Sequence, residues 1–365
     1  MKSRNLAKCV FVHMLGYPTD FIHMTCVNLL SSSKFTEKRI AYIALSVIMD
    51  EKSEVLLLTT STIKKDLESS NQYLIATALN AIGEICTPFM CRELASEVIK
   101  LINNPNPYIK KKAALACSKI IRKSPEFLEV IAEKLNTFFE DKNHGVLICG
   151  LSLAIQVFKL DESYIEKYSK YLKNMIRYLR NLVSTNYAPE YDINGITDPF
   201  LQVKILEVLQ YFGKNNSEAS EEMNDLLASI STNTSSNKNT GNAVLYELAR
   251  TIIVIDSNVG LKSLGSTILG KFLTHKDNNY KYIALNTLQE VARTDIVSVQ
   301  KHKGTILDCL KDSDISIKRR ALDLIYLIIN NSNIKLIVKE CLNFLLVAEN
   351  EFKLELTTKV IISLT

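Results

Sequence analysis

The chain has 365 residues, 47% apolar and 23% charged, with only 11 Gly and 7 Pro, a composition that excludes a disordered or collagen-like polymer and suits a helical array. Its formal net charge of +5 is mild, and the basic residues are spread out without interleaved aromatics, so nothing argues for nucleic acid. No apolar run reaches the ~18 residues of a membrane span, and the first residues read as helix rather than as a signal peptide.

In chain order, residues 1–30 predict two helices, the first over Leu6 to Leu15, split by Gly16-Tyr17-Pro18-Thr19-Asp20. The opening is abrupt, with Met1 almost inside a helix. A solenoid needs a polar end layer, so the expectation is a fragment, a misplaced gene start, or an end covered by a partner. Residues 35–160 predict four close-packed hairpins, with turn and N-cap chemistry at Asp50-Glu51-Lys52-Ser53 and Ser69-Ser70-Asn71. The clearest unit is Asn104 to Lys123. There Pro105 and Pro107 end one helix and start the next, and Ala113, Ala114 and Ala116 let the new helix lie close to its neighbour.

Residues 162–199 depart from this pattern. One long helix, Tyr164 to Val183, is expected before a polar loop beginning at Ser184-Thr185-Asn186-Tyr187-Ala188-Pro189-Glu190 and ending at Asp198-Pro199. Residues 213–241 are rich in Asn, Ser and Thr, and only Glu221 to Ile230 keeps helical spacing. From 243 the hairpins return and stop in mid-pattern at Thr365, with Val360, Ile361 and Ile362 apolar.

A repeat underlies this order. Phe35, Tyr73, Tyr108, Gly145, Phe200, Ala243, Tyr282 and Ser316 each open a similar apolar helix, at spacings of 34 to 55 residues. That period is the signature of HEAT or armadillo repeats. A lone hairpin cannot bury its apolar face, so neighbours stack. The fold class expected is all-α: a HEAT/armadillo-like α-solenoid of stacked antiparallel helical hairpins.

Chemistry-bearing motifs are sparse. Residues 265–271, GSTILGK, satisfy G-x-x-x-x-G-K, but Phe272 stands where a phosphate loop needs Ser or Thr. The segment also keeps helical spacing, with no strand ahead of it. The five histidines (His13, His23, His144, His275, His302) form no metal-ligand motif, and no C-x-x-C occurs among the eight cysteines. Buried free thiols are the plain reading, and no enzyme activity, cofactor or metal is expected. The basic triplets Lys110-Lys111-Lys112 and Lys318-Arg319-Arg320 read as helix caps or as partners of acidic residues in the next repeat. Lys2, Arg4 and Lys8 differ. Residues 4 and 8 share a helix face, Lys2 lies at the helix start, and basic groups there suit a phosphorylated lipid head group.

Several stretches, among them RNLAKCVFVHMLGYPTDF, KFTEKRIAYIALSVIMDE, KKAALACSKIIRKSPE, GITDPFLQVKILEVL and CLKDSDISIKRRAL, together resemble the adaptins, the large subunits of clathrin adaptor complexes. The γ-adaptin type matches best, nearly end to end. The resemblance implies a scaffold that pairs with a β-type adaptin and with μ and σ subunits. It also implies recruitment to trans-Golgi network and endosome membranes by an Arf-family GTPase in its GTP form and by phosphatidylinositol 4-phosphate. Lys2, Arg4 and Lys8 occupy positions matching the family's phosphoinositide site. Met24, Val27 and Leu58 would be the Arf contacts, although core packing is the simpler reading of each. Residues 1–365 would be one trunk fragment with an insertion at about 184–199, lacking the N-terminal cap, the rest of the trunk, the hinge and the ear. The alternatives are an α-adaptin-like subunit of the plasma-membrane adaptor, or a HEAT-repeat peptide-binding scaffold such as a transport receptor.

Overall fold

Helix boundaries in the computed structural model, which describes residues 2–184, 188–236, 238–293, 295–347, 352–354, 356–358 and 361, follow the turn chemistry closely. Met1, Thr185, Asn186, Tyr187, Val360, Ile362 and Thr365, which entered the sequence reading, lie outside the described residues. The chain divides into two compact units, Met1–Lys173 and Asn174–Thr365.

In the first unit, helices Phe35–Ile48, Gln72–Ile85, Pro107–Lys123 and His144–Leu160 lie side by side as one layer. The partner layer is built from His23–Leu30, Thr60–Leu67, Pro88–Leu101 and the short helices Leu128–Ala132 and Asn136–Phe139. Asn71, Asn106 and Asn143 each accept a bond from a backbone N–H of the helix they precede, the commonest way to satisfy an orphan donor there. Ala113, Ala114 and Ala116 are fully buried, which allows the expected close approach of the Pro107–Lys123 helix.

The long helix expected from Tyr164 is broken. Helix Ser163–Tyr168 gives way to a 3-10 turn, Ser169–Tyr171, before helix Leu172–Val183. A 3-10 turn eclipses residues three apart. It therefore sets Tyr168 and Tyr171 on one side, where both rings stack on Phe139 at centroid distances of 5.8 and 4.8 Å.

In the second unit, the insertion is no simple polar loop. It holds a small antiparallel hairpin, Asp192–Ile193 with Ile196–Thr197, closed by Asn194 and Gly195 at φ of 59° and 86°. Two successive positive φ values are what a two-residue hairpin loop requires, and Asn-Gly meets that need. The Asn/Ser/Thr-rich stretch also forms far more helix than expected, Ser217–Asn233, because the Asn216 side chain accepts from Ala219 N–H and caps it. Helix Asn239–Val254 then packs on Val259–Leu273, and Asn278–Val291 packs on Ile315–Leu327. Residues 265–271 lie wholly inside helix Val259–Leu273, so this segment forms no phosphate-binding loop.

Glu247 is buried at 6% exposure, where its Oε1 accepts a bond from Gln210. Burial raises its pKa above the usual carboxylate range, against the lowering effect of Arg250. A raised acid favours its protonated form in the fold, so the associated stability is present at low pH and lost as pH rises through the folded pKa. Glu247→Gln keeps the acceptor and removes the charge. It is expected to raise urea resistance at pH 8, with the gain shrinking toward pH 4; a gain that grows on acidification would refute this account.

Candidate membrane and partner-binding surface

The first helix, Lys2–Met14, buries only Leu6 and Val10. Inward residues four apart leave the rest of the cylinder to solvent. Arg4 and Lys8 are exposed one turn apart on one face, and Lys2 is exposed at the first turn. At 3.6 residues per turn, Lys2 points about 160° round the axis from Arg4, so it joins the other two through the helix end rather than through a shared face. The first turn carries no acidic residue, and among the described residues none of the three cations is held in an ion pair. Arg4 and Lys8 thus share one solvent face, and Lys2 lies at the helix start, where the backbone N–H groups are without helical partners.

Following the break, His13 Nδ1 and Thr19 Oγ1 bond at 2.8 Å, which fixes the turn into helix His23–Leu30. That helix packs on the 3-10 segment Glu54–Thr59. In the latter, Leu56 and Thr59 point inward, three apart, with 0% exposure. Leu57 and Leu58 are thereby turned outward. Met24 is 51% exposed and Leu58 56% exposed, and Val27 is half-buried. Core packing, the simpler reading of these residues, is therefore corrected for Met24 and Leu58 and holds only in part for Val27.

Phe11, Met14, Leu15, Tyr17 and Phe21 are likewise each at least 60% exposed. The sequence reading missed them as surface residues. The available signal was a helix with apolar residues all round at its C-terminal end, where an amphipathic surface helix would keep one polar face. Exposed apolar residues gathered on neighbouring elements mark an interaction surface rather than scattered exposure.

The basic triplets are mostly absorbed by the fold. Lys110 Nζ lies 2.6 Å from Asp141 Oδ2 and 3.1 Å from Thr137 O, Arg320 donates to Tyr282 Oη at 3.2 Å, and Arg319 lies over the Phe352 ring. The thiols are free, and Cys26, Cys86, Cys91, Cys117, Cys309 and Cys341 are buried. Cys91 Sγ lies 3.3 Å from Cys86 Sγ. Burial pushes the Cys309 and Cys341 thiols up to about 11. Among the described residues, no three His, Cys, Asp or Glu side chains converge as metal ligands, and no helix is long and apolar enough to cross a membrane.

The family model described as the adaptin N terminal region matches residues 1–364. The AP-1 complex subunit gamma of Dictyostelium discoideum is 48% identical over 99% of this chain and 40% of its own length. The AP-1 complex subunit gamma-2 of Arabidopsis thaliana is 46% identical over 98% of this chain and 42% of its own length. The chain thus spans about two fifths of the length of these curated relatives. Among structures, a homology model of the full-length AP-3 complex in an intermediate open conformation aligns with a TM-score of 0.60 at 21% identity, over 97% of this chain and 59% of that one. The Kap95:Nup1 complex aligns with a TM-score of 0.61 at 12% identity, over 93% of this chain and 45% of that one. At such identities these two likenesses establish the helical-repeat fold alone.

Proposed function

Since the chain belongs to the adaptin N-terminal family, we propose that it acts as the trunk of a γ-type large subunit in a clathrin-associated adaptor complex. The observation that carries this reading is its likeness to γ subunits along 99% of its length. In this role it transforms no substrate. It scaffolds β-type, μ and σ subunits and holds the complex on the cytoplasmic side of trans-Golgi network and endosome membranes, where coated vesicles gather cargo.

Two features of the first unit support membrane recruitment. Lys2, Arg4 and Lys8 stand exposed within the first two turns of a helix and, among the described residues, are held in no ion pair, which suits a phosphatidylinositol 4-phosphate head group; Arg4 supplies a two-pronged donor and the lysines supply point charge. Met24 and Leu58, both more than half exposed, and the half-buried Val27 offer apolar contacts to a GTP-loaded Arf. Each contact is weak alone. Held together at one membrane, they reinforce one another through effective concentration.

The test is recruitment to vesicles carrying phosphatidylinositol 4-phosphate, with and without lipid-anchored Arf-GTP. Lys2→Ala/Arg4→Ala/Lys8→Ala is expected to weaken binding by about 100-fold, at roughly 1 kcal/mol per basic residue, with unchanged helical circular dichroism. Met24→Asp/Leu58→Asp is expected to remove only the Arf-dependent increment. Parental binding by the triple variant would reject the lipid site, and an undiminished Arf increment would reject the apolar one.

A further inference from the structure

The outward face of helix Lys2–Met14 carries more than its cations. At about 100° per residue, Arg4, Lys8, Phe11 and Leu15 fall within an arc of about 60°, on the side opposite the buried Leu6 and Val10. Leu15 follows the last helical residue, and its N–H still bonds Phe11 O at 3.2 Å, so it continues the helical path. Over about 16 Å of axis, one face therefore passes from two basic side chains to two large apolar ones. Phe11 is 61% exposed and Leu15 60%.

The turn beyond this helix extends the apolar end. Thr19 and Ile22 are buried, and Thr19 Oγ1 bonds His13 Nδ1 at 2.8 Å. These anchors fix the turn on the fold and leave Tyr17 and Phe21 out of the core, at 62% and 77% exposure. Holding four such side chains in water is unfavourable, and gathered exposure of this kind marks a surface that meets something apolar.

Two properties of the face select its occupant. The first is charge. Residues 1–19 contain Lys2, Arg4 and Lys8 and no Asp or Glu; Asp20 is the first acidic residue of the chain. The second is order. Cations beside aromatic and aliphatic groups on one helix face are the layout of a helix lying in a bilayer interface. There the cations meet anionic head groups, a ring with a polar tip such as Tyr17 sits at head-group level, and phenyl and aliphatic groups reach the acyl boundary. A globular partner covering the apolar half would need an acidic patch beside it to meet the cations. A bilayer containing anionic lipid supplies both in one plane.

We propose that this face is a membrane-insertion surface. Arg4 and Lys8 hold anionic head groups, while Phe11 and Leu15, with Tyr17 and Phe21 beyond them, enter the boundary between head groups and acyl chains. The inference rests on the membrane reading above and adds to it a contact between this chain and the apolar part of the lipid, made without a GTPase.

The experiment uses the absence of tryptophan from the chain: Phe11→Trp places a single fluorescent reporter at the apolar end of the face. On phosphatidylcholine vesicles containing phosphatidylinositol 4-phosphate, with no GTPase present, its emission is expected to shift to the blue and to be quenched by phosphatidylcholine brominated on its acyl chains. Val259→Trp is the control, at a residue 85% exposed in the second unit, and its emission should stay water-like. Phe11→Ser/Leu15→Ser keeps every cation and changes only exposed side chains. It is expected to weaken vesicle sedimentation about tenfold with unchanged helical circular dichroism. Vesicle-bound Phe11→Trp with unshifted, unquenched emission, or parental binding by the double serine variant, would overturn the insertion and leave the head-group reading standing. No sedimentation of the parent chain would overturn both. A blue shift without vesicles that grows with protein concentration would assign the face to a second copy of the chain and likewise overturn the proposal.

Discussion

Asp66→Ala is expected to destabilise the first unit by about 3–5 kcal/mol, the cost of breaking a buried ion pair from one side. Lys38 Nζ lies 2.6 and 2.7 Å from the two Asp66 oxygens, and the Tyr42 hydroxyl donates to the same carboxylate at 2.8 Å. Lys38 is 9% exposed and Asp66 4%. Burial, and then the neighbouring carboxylate, push the Tyr42 phenol far above its ordinary pKa, so it remains a donor. Removing Asp66 strands an ammonium and a phenol together. Replacing both charged partners, as in Lys38→Met/Asp66→Leu, removes the stranded charge and is expected to restore most of the loss, because the net worth of such a pair is small once desolvation is counted. Arg92–Glu126 is the control. Its side chains are more than half exposed, so Glu126→Ala should cost less than about 1 kcal/mol. Urea denaturation of the three variants beside the parent tests the ranking; Asp66→Ala and Glu126→Ala with equal midpoints would refute it.

The same device recurs. Lys38, Lys110 and Lys281 are each the fourth residue of their helix, and each reaches an aspartate 28 or 31 residues later: Asp66, Asp141 and Asp312. A helix start is thereby tied to the close of its own hairpin. Nothing in a local window of sequence reveals such a pair, because its partners meet only once the hairpin has folded. What was legible was local: the repeat period, the Asn caps and the alanines of Pro107–Lys123. The hairpin at Asp192–Thr197 was legible too, since Asn194-Gly195 lies between isoleucines, but the polar residues around it suggested a loop. Helix Ser217–Asn233 was underestimated because Asn, Ser and Thr compete for the backbone in isolation, while Met223, Leu226, Leu227 and Ile230 bury one face and decide the outcome.

The surface was the least legible part. Leu56 and Leu58 are chemically the same, and one is fully buried while the other is more than half exposed. Periodicity assigns an apolar residue to a face, but only the fold says which faces are covered. The basic residues at the helix start could be found without the fold, because a lysine or arginine is expected outside wherever the helix lies. This is why Arg4 and Lys8 could be placed on a solvent face from spacing alone, whereas Met24 and Leu58 could not.

Gly150→Ala and Gly83→Ala should change stability in opposite directions, although both glycines lie inside helices of the first unit. Helix propensity favours alanine by about 1 kcal/mol at either site. At Gly83 an added Cβ meets nothing within 4 Å, so Gly83→Ala is expected to stabilise by about 0.5–1 kcal/mol. At Gly150 the added Cβ would lie 2.3 Å from Phe138 Cβ and 2.7 Å from its Cγ. Neither Cβ can rotate away, because each is fixed to its backbone. Relief must come from parting helix His144–Leu160 from Asn136–Phe139, and overpacking of this kind costs about 1–3 kcal/mol. The parting would also disturb the stack in which Phe139 meets Tyr168 and Tyr171, so the near-ultraviolet circular dichroism should weaken in Gly150→Ala alone. Thermal and urea midpoints measure the sign at each site. A stabilised Gly150→Ala with an unchanged aromatic spectrum would show that these two elements are not in contact, and the helix spacing of the first unit would then need a different cause.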